Sequence, residues 1–211
     1  MRWRQPQAER VQPAGVYSDW KQEIADACHG HCVYCAIHES SYGGLDNFHI
    51  DHYRPKSIFA DLVDAVANLY LACAICNRFK SNDWPNEPAP DHSVAAYPDP
   101  GIQDYNDLFT EDADTFLLSG RNVAARYVVE RLYLNRPQLI LERRLFAAEE
   151  RLTEINAWIR RTIDTLRKTP PDEQTTRAMF DVVKSMADLS DSGIGVRRAR
   201  PYELIAVRRQ R

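Results

Sequence analysis

Apolar positions divide the chain into two halves with different rhythms. Beyond Pro137, Leu141, Leu145, Ala148, Leu152, Ile155, Ile159, Ile163 and Leu166 recur every three or four residues. That spacing keeps one face of a helix apolar. It predicts a long helix from Pro137 to about Lys168, with Pro137 suited to the first turn. Another helix follows Pro170-Pro171 to about Leu189, and Asn122 is placed to cap a third through Tyr133. Asn135-Arg136-Pro137 separates the last of these from the long helix, because the residue before a proline disfavours helical dihedrals. Residues 122–190 thus read as a small helical bundle whose stripe is its own core.

The first half is built from shorter runs. Trp20, Ile24, Ala27 and Cys28 share one face of a helix that Ser18 or Asp19 can cap and that runs to about Gly30. Phe48–Tyr53 reads as a short strand, turned by Pro55, and Leu69–Ala72 as its partner in a hairpin. Cys73 then opens a helix to about Lys80, ended before Pro85. Further on, Thr115–Leu118 is predicted as a strand closed by Ser119-Gly120. Residues 1–17 hold no periodic pattern and read as an arm, and Ala36–Asn47 as a flexible loop. The expected fold class is α+β, mostly helical. A core domain covers residues 18–84, an acidic irregular connection 85–121, the helical domain 122–190 and a basic tail 191–211.

Composition places the chain among soluble globular proteins, with 44% hydrophobic and 27% charged residues in a length of 211. No apolar run approaches the roughly 20 residues needed to span a bilayer. The opening M-R-W-R-Q-P-Q leads into no signal core, so a cytoplasmic rather than secreted or membrane protein is expected. The net charge of −3 carries no global signature of a nucleic-acid binder. Charge is nonetheless segregated. Pro85–Gly120 contains eight acidic residues and no Lys or Arg, whereas the end of the chain carries Arg197, Arg198, Arg200, Arg208, Arg209 and Arg211 against Glu203 alone. Such a tail is either a phosphate contact or a solvated terminus.

The chemistry-bearing stretch runs from Cys32 to Lys80. It contains C-V-Y-C, H-I-D-H-Y-R-P-K-S and N-L-Y-L-A-C-A-I-C-N-R-F-K. Four of the five cysteines sit in Cys-x-x-Cys pairs, Cys32/Cys35 and Cys73/Cys76, which suits metal thiolates in a reducing compartment better than disulfides. Four thiolates fill a tetrahedral shell, so the expected ion is a structural Zn²⁺ with no open position. Cys28 reads as a buried apolar residue rather than a fifth ligand, and His29 and His31 as solvent-facing or behind the ligands. About 37 residues separate the two pairs. That excess over a compact zinc ribbon is a hairpin inserted between the halves of the metal site. On the helix opened by Cys73, the residues Cys73, Cys76, Asn77 and Lys80 fall along one stripe.

This arrangement resembles the HNH endonucleases, whose core is the ββα-metal, treble-clef-like fold. The matching residues are Asp51-His52, Asn68 in N-L-Y-L-A-C and Asn77 in C-N-R-F-K. The resemblance implies a general base at His52, which deprotonates the attacking water. It implies Asp51 and Asn77 as ligands of one catalytic divalent ion, and Asn68 as the residue holding the hairpin loop. A carboxylate and an amide oxygen favour Mg²⁺ or Mn²⁺. Arg54, Lys56 and Lys80 are candidates for phosphate contacts, with a solvated basic side chain as the alternative for each. His49 lies two before Asp51, on the same strand face, and is a candidate third ligand or a structural hydrogen-bonding residue. Strict alternation sends Asp51 and His52 to opposite faces, so the reading requires the strand to end or bulge there.

A second likeness is looser. Residues 125–144 look like the helical extension of prokaryotic HNH proteins that carry H-x-x-P-K-S, some of which sit in anti-phage cassettes beside an ATPase. It implies a host-defence role and a partner ATPase. Three function classes follow: a metal-dependent endonuclease cutting DNA, a zinc-dependent nucleic-acid-binding module that does not cleave, and an adaptor subunit.

Overall fold

The computed structural model describes residues 2–166 and 172–198. Among them are five helices, α1 (Lys21–Ala27), α2 (Ala74–Lys80), α3 (Val123–Arg131), α4 (Pro137–Leu166) and α5 (Glu173–Arg198). Two antiparallel hairpins complete an α+β architecture: β1 (Phe48–His52) with β2 (Leu69–Cys73), and β3 (Phe109–Glu111) with β4 (Leu118–Gly120). None of these helices is long and apolar enough to cross a membrane.

The chain forms two compact units, one reaching Leu139 and one beginning at Ile140. The first carries every candidate site residue. Its core joins Trp20, Ile24 and Cys28 of α1 to Leu69 and Leu71 of β2, and extends through Tyr97, Tyr105 and Leu108 to Val128 and Leu139. The second holds the remainder of α4 and α5, and α5 runs past the expected end at Leu189 to Arg198. Of the proposed basic tail, residues 199–211 lie outside the described residues.

Three segments differ from the sequence reading. The arm is anchored throughout. Trp3 stacks on Phe109 at 5.0 Å, Gln7 N donates to Ala27 O, and Arg10 reaches the carbonyls of Leu69 and Ala67. The acidic irregular connection 85–121 likewise contributes to the core. Its tyrosines are buried with their hydroxyls satisfied, Tyr97 by Asp83 and Tyr105 by Pro98 O. Isolated aromatic anchors carry no periodicity, which hides them from pattern reading. Finally, α3 belongs to the first unit rather than opening a helical bundle.

Local signals held where a side chain caps a backbone. Asn122 accepts from Ala125 N at 2.8 Å and starts α3 as expected. At α1, neither Ser18 nor Asp19 caps the helix; Tyr17–Asp19 form a 3-10 turn and the helix starts at Lys21. The predicted strand Thr115–Leu118 is displaced to Leu118–Gly120. Asp112 draws Thr115 into a turn by accepting from its N at 2.7 Å and from its hydroxyl at 2.6 Å. Gly120 lies so close to the backbone of Ala125 and Arg126 that a Cβ would collide with α3.

Candidate active site

The four Cys-x-x-Cys sulfurs converge, all lying within 4.8 Å of one another, and all four residues are buried. The first pair sits in a tight turn in which Cys32 N bonds Ile37 O and Ala36 N bonds Cys32 O. Val33 N donates to Leu71 O, which fixes this turn to β2. Cys73 ends β2 and caps α2, its Sγ accepting from Cys76 N at 3.5 Å. Burial pushes the thiols of Cys32 and Cys76 well up, and four buried thiolates side by side are stabilised by a cation among them. Four soft sulfur donors in a closed, buried shell fit Zn²⁺.

Cys28 stands outside this group. It is buried against β2, where Leu71 N donates to its sulfur at 3.4 Å, and burial pushes its pKa up to about 11. His31 pairs instead with His29 O and with the ring of His38.

A separate cleft opens beside the end of β1. Asp51, His52 and Asn77 all line it, together with Tyr17, Pro55 and Lys56. The β1–β2 register runs unbroken to His52, opposite Leu69, and the strand ends there. Ending the strand at His52, without a bulge, lets both Asp51 and His52 border one cleft.

The His52 ring is held on two sides. Its Nε2 bonds Val63 O at 3.0 Å, and Tyr17 packs edge-on at 4.6 Å between centroids. A ring nitrogen facing a carbonyl must carry the proton, so Nδ1 keeps the lone pair. Burial lowers the pKa of the ring below its ordinary value, against the opposing pull of Val63 O and Asp51, which favours the neutral form. The loop bearing Val63 is braced by Asn68. Its Oδ1 accepts from Arg54 N at 2.8 Å, while Nδ2 donates to Arg54 O at 3.1 Å and Leu62 O at 3.3 Å. Asn68 therefore grips both ends of the loop, one residue from the carbonyl that orients His52.

Asp51 is buried, and its carboxylate already has two partners. Tyr34 donates to Oδ2 at 2.6 Å, and Lys80 Nζ lies 3.1 Å from Oδ2 and 3.3 Å from Oδ1. Burial raises the carboxyl's pKa, while Lys80 and Tyr34 pull it back. Of the four lone-pair directions of the carboxylate, these contacts occupy three and leave one on Oδ1. Asn77 lines the cleft, and among the described residues its side chain makes no hydrogen bond.

The expected phosphate contacts separate sharply. Lys80 is fully buried, bonding Asp51 and donating to His52 O at 2.7 Å, so it cannot reach a phosphate. Cys76 and Lys80 are four apart on α2, and the face that carries the thiolate also drives the lysine inward. Arg54 pairs with Glu87 at 2.9 Å and lies over the rings of Phe59 and Trp84, away from the cleft lining. His49 is exposed opposite Ala72 and does not line the cleft, so its role as a third ligand is not supported. Lys56 does line it, donating to Tyr17 OH at 2.9 Å.

Tyr17 and Tyr34 were not legible as site residues. Tyr17 belongs to the irregular arm, and Tyr34 is hidden inside the first Cys-x-x-Cys pair. The Asp51–Lys80 contact yields a direct prediction. Lys80→Met leaves a buried carboxylate with the Tyr34 hydroxyl but no charge partner, and is expected to lower unfolding free energy by about 3–5 kcal/mol. Urea unfolding followed by fluorescence reads the loss, and an unchanged midpoint would show that Asp51 finds another partner.

No curated protein and no solved structure matches the chain at a significant level. The family comparison does match, over the segment that holds both cysteine pairs, the hairpin, the braced loop and α2: residues 32–83 fit the family model described as HNH endonuclease.

Proposed function

We propose that the protein is a metal-dependent endonuclease that hydrolyses phosphodiester bonds in DNA, with His52 as general base. The observation that carries this reading is the Nε2–Val63 O bond, which commits the ring to a tautomer with Nδ1 free to take a proton. Nδ1 removes a proton from water as the new P–O bond forms. The bond from phosphorus to the 3′ oxygen breaks, leaving a 5′-phosphate and a 3′-hydroxyl that takes its proton from solvent. A divalent cation, Mg²⁺ or Mn²⁺, would be held by the free direction of Asp51 Oδ1 and by Asn77, and would neutralise charge on the phosphorane and the departing oxygen. Lys56 is the basic side chain placed to meet the phosphate, and Asn68 keeps the base in register through the loop. Zinc in the four-cysteine centre is structural and supplies no open position.

One observation favours the reading as a non-cleaving module: Lys80 already neutralises Asp51 without any added cation. The proposed anti-phage role and partner ATPase rest only on residues 125–144. In the fold, Tyr127 and Arg131 of that run serve the first unit, bonding Asp83 beside α2. Four cysteines gathered as one candidate metal cluster suit a reducing, cytoplasmic setting.

The test incubates purified, zinc-loaded protein with plasmid, linear duplex, single-stranded DNA and RNA. Cutting of DNA that stops with EDTA and returns with excess Mg²⁺, leaving 5′-phosphate ends, is the expected result. Binding without cutting on every substrate would favour the non-cleaving module.

A further inference from the structure

Arg136 lies just before α4, in the turn that α3 leaves at Leu132. Its guanidinium faces the four-cysteine centre. Nη2 lies 3.6 Å from Cys35 Sγ, 3.7 Å from Cys73 Sγ and 3.6 Å from Cys76 Sγ, and Nη1 lies 3.7 Å from Cys76 Sγ. One side chain thus donates to three of the four sulfurs. Its Nη1 also donates to Leu132 O at 3.2 Å, and Nε is buried with no partner.

The segment is clamped in this position from two sides. Tyr133 stacks on Phe79 of α2 at 4.7 Å. Asn135 exchanges two hydrogen bonds with the backbone of Leu118, at 2.8 and 2.9 Å. Both clamps are long-range, and neither touches a sulfur.

We propose that Arg136 is the charge partner of the zinc–thiolate centre, donating hydrogen bonds to Cys35, Cys73 and Cys76. This rests on the zinc reading of the cluster. Four thiolates around Zn²⁺ carry a net charge of −2 in a buried place, where an uncompensated charge is expensive. A guanidinium supplies one positive charge with several donors in a rigid fork, and it loses less hydration than an ammonium. It steadies the sulfurs as ligands and withdraws electron density from them. Two consequences follow: zinc is held more tightly, and the bound thiolates are poorer nucleophiles toward electrophiles.

The experiment uses the full chain in four forms: wild type, Arg136→Gln, Arg136→Lys and Asn135→Ala. Zinc affinity is read by competition with a chromogenic chelator, and alkylation of the zinc-loaded protein by iodoacetamide is read by mass spectrometry. Arg136→Gln is expected to weaken zinc binding by about 10–100-fold, the usual cost of losing a partner of the ligands, and to speed alkylation. Arg136→Lys should recover part of both effects, because a point charge remains but reaches fewer sulfurs. Asn135→Ala removes one clamp of the turn while the charge and the Tyr133–Phe79 contact remain, and should cost less zinc affinity than Arg136→Gln. Unchanged affinity in Arg136→Gln, or an equal loss in Asn135→Ala, overturns the proposal. A wild-type protein that binds no zinc overturns the zinc reading as well.

Discussion

His52→Gln is expected to cut DNA about 10²–10⁴-fold more slowly than wild type, the range supplied by a positioned general base. Glutamine is the sharper choice beside His52→Ala, because its amide N–H can still reach Val63 O while no basic nitrogen remains. Loop structure and zinc content should therefore persist as the rate falls. The same geometry sets the pH dependence. A base works in its neutral form, and burial lowers the pKa of His52 below its ordinary 6.5. Cleavage should hold at neutral pH and decline only as pH falls through that lowered value. Single-turnover cutting of plasmid at saturating Mg²⁺ measures both effects. Wild-type rates in His52→Gln would move the base elsewhere.

Cys73→Ser is the second large effect. Cys73 ends β2, supplies one sulfur to the cluster and caps α2 through Cys76 N. Its loss should weaken zinc binding beyond the ~10–100-fold typical of losing a partner of a ligand. Because the cluster ties the first turn to α2, metal binding contributes to folding. Zinc content, thermal midpoint and cleavage should fall together, since α2 carries both Asn77 and Lys80. Zinc analysis alongside differential scanning fluorimetry reads the outcome. Full zinc occupancy in the serine variant would refute a four-thiolate site.

The two predictions differ in how visible their residues were. The cysteine pairs were legible because the two cysteines of each lie three positions apart, and a turn or a helix start delivers both sulfurs to one point. Asn68 and His52 stood out through motif, yet the contact that links them, Leu62–Val63 of the loop, could not be read from spacing. Lys80 was placed on the correct stripe of α2, but whether that stripe faced solvent or the interior depended on how closely the helix approaches β1. Arg54 looked like a phosphate contact until Glu87 and Trp84 claimed it from 33 and 30 residues away. Those partners lie in a stretch with no regular pattern.

The amino-acid order alone determined the paired cysteines and the hairpin-then-helix succession, because these depend on rules that act over one strand or one turn, and it put His52 forward as the candidate base. Tertiary structure decided which basic groups face the cleft, that the arm brings Tyr17 onto His52, and that Arg136 reaches sulfurs up to 101 residues away. These contacts follow from packing between distant segments, where burial and charge pairing act across space and leave no period in the chain.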